Sequence, residues 1–196
     1  MQADAITDYV DNMGHWHAWQ REYRYGVLLL LPPEPIATAV GRIRELHDPR
    51  SQASCGAHIS LTVPLPGPMT TEQWRELEQI AVRLPPFEIR YGPLSNYLPH
   101  PGVVLAIAPQ GALDALRASL EAATAFVGAT PRSHPFSAHM TIAEFVTVEQ
   151  TIALTDELAG AVPPGAFVCE YVSYVVPDES FAFSERGRLW LGRPAR

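Results

Sequence analysis

The sequence predicts an α+β fold, duplicated and bilobal, with two mostly antiparallel sheets flanked by helices around a central cleft. Three observations predict it. Short apolar or alternating runs bounded by Gly and Pro read as strands, and apolar stripes of helical period lie between them. The order strand, helix, strand, helix, strand occurs over 25–91 and recurs over 103–176. Matched features also recur at similar offsets. Val27 and Val104 are 77 residues apart, as are Glu72-Gln73 and Glu149-Gln150; Phe87 and Phe167 are 80 apart, and His58 and His139 are 81 apart. Such offsets indicate an internal duplication with small insertions. Two related lobes then face each other across a cleft.

Each element has its own signal. Residues 1–20 carry acidic residues and the aromatic pair Trp16 and Trp19, and read as a short helix. Residues 1–24 are therefore expected to form an N-terminal helical extension to a single domain over 25–196. Tyr25 to Leu31 is a buried strand stopped by Pro32-Pro33. Ile36, Val40, Ile43 and Leu46 mark an amphipathic helix over about 34–47. The stretch 48–56 is polar and turn-rich, and His58 to Leu65 alternates as a strand. Thr70 or Thr71 caps a helix carrying Trp74, Leu77, Ile80 and Leu84. Phe87 to Tyr91 is a strand, and the Pro- and Gly-rich stretch 92–102 is a linker or a loop lining a site. Val103 to Ala108 is a strand, Leu113 to Ala123 a helix, Ala138 to Phe145 a strand and Val148 to Ala159 a helix. Phe167 to Val176 and Ser180 to Leu191 are two last strands joined by the turn at Pro177-Asp178-Glu179.

Composition narrows the function. The 196 residues suffice for a sizeable core, and 47% apolar with 18% charged residues is ordinary for a globular protein. A net charge of −7 disfavours long duplex nucleic acid, whose phosphates need clustered cations. All 14 basic residues are Arg, so Schiff-base and phosphate-loop lysines are excluded. Cys55 and Cys169 form no zinc-site spacing. The acidic N-terminus lacks signal-peptide character, and no apolar run reaches membrane-spanning length. A cytoplasmic monomer with no cofactor or metal is expected.

The chemistry lies in two strands, His58-Ile59-Ser60-Leu61 and His139-Met140-Thr141-Ile142. Side chains at i and i+2 share a strand face. His58, Ser60 and Thr62 therefore share one face, and His139 and Thr141 share another. One neutral imidazole can take a proton from water while the other, as imidazolium, protonates a leaving oxygen. The hydroxyls can hold non-bridging phosphate oxygens. A single such match is more often a satisfied polar strand residue. Two among seven histidines arise by chance on the order of 1% of the time.

This pair resembles the signature of the two-histidine (2H) phosphoesterase superfamily, which includes the RNA 2′,3′-cyclic phosphodiesterases once called 2′-5′ RNA ligases. The resemblance covers about 25–191. It implies a bilobal fold with the motif strands at the cleft floor, and metal-independent hydrolysis of a 2′,3′-cyclic or 2′-5′ phosphodiester. It implies His58 and His139 as catalytic residues, with Ser60 and Thr141 binding substrate. Where an Arg commonly follows the second motif, this chain has Glu144. The expected substrate is therefore a small nucleotide or an RNA-terminal cyclic phosphate rather than long RNA. The alternative is a non-catalytic nucleotide-binding or regulatory module that keeps the fold.

Further residues divide between roles. Arg132 is the candidate cation replacing the missing one, against the alternative of a solvated loop charge. Tyr97 and His100 either stack on a base at the cleft or belong to a plain surface loop. His15 and His17 do not share a helix face, which argues against a metal pair. Cys55 lacks an orienting acid for nucleophilic work.

Overall fold

A computed structural model describes residues 8–193. The strands are β1 (Val27–Leu30), β2 (Ile59–Ser60), β3 (Phe87–Asn96), β4 (Val103–Ala108), β5 (His139–Ala143), β6 (Gly165–Cys169), β7 (Tyr171–Pro177) and β8 (Phe183–Trp190). The helices are α1 (Glu34–His47), α2 (Pro49–Ser54), α3 (Thr71–Val82), α4 (Gln110–Glu121) and α5 (Val148–Glu157). The strands form one sheet in the order β6-β3-β4-β5-β2-β1-β7-β8, and every neighbouring pair is antiparallel. It consists of two four-stranded halves, one per lobe, joined where Ile59 on β2 pairs with Met140 on β5.

The duplication is visible in this order. β1 and β4 open the two repeats, His58 immediately precedes β2 and His139 opens β5, and α3 and α5 follow them. Thr70 and Thr147 cap these helices, each in a full capping box with Gln73 or Gln150. After α3 the chain crosses to the other half, where β3 pairs with β4; after α5 it first adds β6 beside β3 and then crosses, so that β7 pairs with β1. Phe87 and Phe167 are not equivalent, however. They lie on adjacent strands, where Phe87 faces Cys169 and Ile89 faces Phe167.

One face of the sheet is covered by helices. Val40, Trp74, Leu77, Leu113, Leu116 and Leu120 pack against Leu28, Leu30, Ile59, Leu105, Met140 and Ile142 in the main core. On β1 the alternate residues Val27 and Leu29 turn to the opposite face and join Val175 in a smaller cluster. That second face carries the cleft.

Several expectations are corrected. Residues 8–19 contain no α-helix; a 3-10 turn spans Gln20–Tyr25, and the part of the expected helix over 1–7 lies outside the described residues. The segment is held by specific contacts instead. Tyr9 Oη lies 3.0 Å from Tyr174 Oη, Arg24 Nε donates to the Val10 carbonyl, and Trp16 Nε1 donates to the Glu179 carbonyl. Gly26 then turns the chain into β1 at φ +85°, where a Cβ would collide with the Val175 carbonyl. The stretch 48–56 contains α2, started by Pro49 and by the Asp48 side chain accepting from Ser51 N. Leu46 is solvent-exposed because the buried stripe of α1 runs through Val40, Gly41 and Arg44. The expected strand 167–176 is two strands, broken between Cys169 and Tyr171 and sent to different lobes.

The strand expected over 58–65 is also shortened to Ile59–Ser60. Leu61 N and Thr62 N both point at the Leu28 carbonyl, each at 3.3 Å, which is the two-against-one pattern of a bulge. The extra residue reverses the side-chain alternation. Thr62 is turned inward and buried, and its Oγ1 accepts from Leu28 N at 3.1 Å. It does not share the open face with His58 and Ser60.

Candidate active site

The central pair Ile59–Met140 sets the site's geometry. One step to either side, the antiparallel register places His58 opposite Thr141 and Ser60 opposite His139. All four side chains leave the face opposite the fully buried Ile59 and Met140. The two histidines are therefore diagonal neighbours, with backbones about 7–8 Å apart. Each imidazole has a hydroxyl across from it.

Both rings are oriented in the same way. His58 Nδ1 lies 2.7 Å from the Gly56 carbonyl, and His139 Nδ1 lies 2.8 Å from the Ser137 carbonyl. A carbonyl only accepts, so each Nδ1 carries the proton and donates. Each Nε2 is left without a protein partner among the described residues and is available to substrate. Gln110 fixes the segment before His139, since its side chain both accepts from Ala138 N and donates to the Ala138 carbonyl. The Tyr97 ring lies 4.4 Å from the His139 ring, tilted by 38°. Tyr97 belongs to the loop between β3 and β4, so that loop does reach the site.

The two histidines differ electrostatically. Burial is the main cause that pushes the His58 pKa down to about 4; the Arg44 cation and His139 push the same way, against the hydrogen bond to Gly56. His139 is also pushed below its ordinary value by burial, but Glu144 favours its protonated form. Arg44 is the functional residue that sequence reasoning missed. Its guanidinium is buried beneath the cleft, with Nη1 donating to the Thr141 carbonyl at 2.7 Å and Nη2 to the Cys55 carbonyl at 2.9 Å. Nε donates to Gln52 Oε1. It thus ties the second motif to the segment entering the first. The available signal was an Arg four residues after buried Val40, on the helix's inward stripe. Asp48 adds a second tie, with Oδ2 accepting from Glu144 N at 2.9 Å.

The cleft has a volume of about 760 Å³ and brings together His58, Ser60, His139, Thr141, Arg44 and Glu144. An aromatic wall of Trp19, Tyr23, Phe145, Phe181 and Phe183 closes one side. Arg132 does not line it. Its Nη2 donates to the Leu61 carbonyl, its guanidinium lies 3.8 Å from Glu121, and it covers the Phe136 ring in a separate hollow. The expected contact of Arg132 with the substrate site is corrected: its charge still reaches His139, but the arginines that line the cleft are Arg44 and Arg50. Cys55 borders the cleft with its thiol pushed up to about 12 by burial, unsuited to a nucleophile. His15 Nε2 meets the Glu179 carbonyl and His17 Nε2 lies 3.5 Å from Arg50. Among the described residues no group of three or more His, Cys, Asp and Glu is placed to hold a metal.

A family model described as the 2′-5′ RNA ligase superfamily matches residues 32–180. Several solved structures share the fold. E. coli LigT complexed with NADP+ is 19% identical, with 85% of this chain and 96% of that chain covered and a TM-score of 0.56. E. coli LigT complexed with 3′-AMP is likewise 19% identical, covering 85% and 97%, with a TM-score of 0.57. TT0787 of Thermus thermophilus is 18% identical, covering 85% and 97%, with a TM-score of 0.52. No curated protein matches the chain.

Proposed function

The chain belongs to the 2′-5′ RNA ligase superfamily, and from that membership we propose that it is a metal-independent phosphodiesterase opening the 2′,3′-cyclic phosphate of a small nucleotide. The observation that carries the proposal is the diagonal histidine pair, each ring with Nδ1 on a backbone carbonyl and Nε2 open to one cleft. In the reaction, Nε2 of a neutral histidine takes a proton from water as the water oxygen attacks phosphorus. The bond from phosphorus to one ribose oxygen breaks. The second histidine, protonated, gives its proton to that oxygen, leaving a ribose monophosphate. Ser60 and Thr141 donate hydrogen bonds to the non-bridging oxygens.

The surroundings favour His58 as base and His139 as acid. Burial, helped by Arg44, keeps His58 neutral; burial pushes His139 down too, but Glu144 opposes it there and favours the charged form. Small substrates are favoured by Glu144, exposed at the cleft, and by the overall charge of −7. The test is hydrolysis of 2′,3′-cyclic AMP in EDTA by wild type, His58→Ala and His139→Ala. Each substitution should lower kcat/KM by about 10²–10⁴. Activity surviving either substitution, or lost to EDTA, overturns the mechanism. Turnover of a cyclic-ended oligonucleotide well above the mononucleotide overturns the small-substrate reading.

A further inference from the structure

The aromatic wall contains two rings that the proposed chemistry does not use. Trp19 is 45% exposed and Phe145 is 65% exposed, although both border the histidine cleft. They come from different elements, Trp19 from the N-terminal segment and Phe145 from the turn after β5. Their ring centroids are 6.4 Å apart and their planes are inclined by 35°. This is the geometry of a partly open jaw. One planar ring needs roughly 3.4 Å on each face, the spacing of stacked bases, so the two rings must separate slightly and rotate toward parallel to take a base between them.

Both sides of the jaw are held in place. Trp19 makes perpendicular contacts with Phe181 at 5.4 Å and Tyr23 at 6.2 Å. Trp16 anchors its segment by packing on Phe181 and donating to the Glu179 carbonyl. Phe145 sits at φ +58°, a conformation costly for a bulky side chain. Such strain persists only where the surroundings fix it. Here Asp48 binds the amide of the preceding Glu144, and the Arg50 guanidinium lies 5.4 Å from the Phe145 ring centroid. The strain holds an apolar ring out in solvent beside the histidines, which core packing does not explain.

We propose that Trp19 and Phe145 form a clamp for the aromatic base of the substrate, so that the N-terminal segment is a substrate-binding element. The base lies between the rings while the phosphoester reaches His58 and His139 in the same cleft. The clamp deepens the phosphodiesterase reading and rests on it for the substrate class. It also goes beyond the family, since Trp19 lies outside the residues that the family model matches.

The test measures binding by calorimetry on the full chain, with adenosine 3′-monophosphate and base-free ribose 5-phosphate as probes. Wild type should bind the nucleotide more tightly than the sugar phosphate. Trp19→Leu and Phe145→Leu should each weaken nucleotide binding by about 5- to 150-fold, from the loss of one stacking partner. Thermal midpoints check that the variants fold, and if one does not, the other, on a separate element, carries the test. Nucleotide affinity within about twofold of wild type in the folded variants overturns the clamp. Trp19-dependent binding in a protein that hydrolyses no cyclic nucleotide supports the clamp and overturns the phosphodiesterase reading. Hydrolysis with unchanged KM in both variants does the reverse.

Discussion

Replacing His58 with Asn removes the imidazole but keeps a short donor within reach of the Gly56 carbonyl. The structure gives the size of the effect on stability. In the folded protein the His58 pKa is pushed from 6.5 down to about 4, chiefly by burial. Between these values the unfolded chain binds the proton and the folded protein does not. Stability therefore falls as pH drops from about 6.5 toward 4, and the contribution is constant above that window. At about 1.4 kcal/mol per pH unit, the shift corresponds to about 3 kcal/mol at most, reduced by solvent screening because the ring is half-buried and opens on the cleft. Urea unfolding of wild type and variant from pH 7 to 4.5 reads it directly. Wild type should lose about 1–2 kcal/mol more than His58→Asn over that range. The carboxylates titrate in both proteins and cancel in the comparison. Curves parallel within about 0.5 kcal/mol would refute the half-buried, neutral His58 and with it the assignment of this residue as base.

Two further substitutions separate the roles of neighbouring groups. Thr62→Val leaves buried Leu28 N without its acceptor and should cost about 1–3 kcal/mol in chemical denaturation, with KM unchanged; a raised KM would restore Thr62 to the binding surface. Arg44→Gln removes the buried charge and most of the fork across Thr141 and Cys55. It leaves buried carbonyls without a donor, at a cost of about 1–3 kcal/mol of stability each, and should move the acidic limb of the kcat/KM profile upward. Arg44→Lys should keep that limb near the wild-type position, and a limb insensitive to charge in both variants would refute the electrostatic role.

What the sequence made legible follows from short-range rules. Helix starts with a Thr cap and Gln three residues on are local, and both capping boxes, Thr70–Gln73 and Thr147–Gln150, form where the 77-residue offset puts them. The histidine strands were legible because a His-apolar-hydroxyl-apolar pattern has meaning on any strand. Thr62 escapes the pattern because alternation holds only while the ladder is regular, and the bulge at Leu28 depends on a residue 34 positions away. Arg44 is hidden because a charge on an apolar stripe reads as an interruption, not as a cation whose partners come from another strand. Arg132 is near His139 in sequence, but the intervening Pro135 to Ser137 carries it to the Glu121 side. Trp19 reads as packing because its exposed face is created only when Phe145 comes opposite.

The distribution of charge connects these corrections. An Arg at the position of Glu144 would place a mobile cation at the open cleft, where its field reaches bulk solvent and attracts polyanions. This chain has the opposite arrangement. Arg44 lies buried under the floor, held by Gln52, Thr141 and Cys55, and the one exposed cation of the cleft lining, Arg50, sits over the Phe145 ring, while the carboxylate of Glu144 is exposed. The buried charge acts at short range, on the motif strands and His58, and the exposed carboxylate opposes a long phosphate chain. With Glu144 offsetting Arg50 at the rim, little affinity is left to come from a run of backbone phosphates. On the proposed reading it comes from the aromatic wall, where Trp19 and Phe145 offer stacking that is independent of charge. A salt titration of nucleotide binding distinguishes the two designs. Stacking predicts an affinity that changes by no more than about twofold between low and moderate salt, whereas a phosphate-tracking cleft predicts a steep linear fall of log K with log salt.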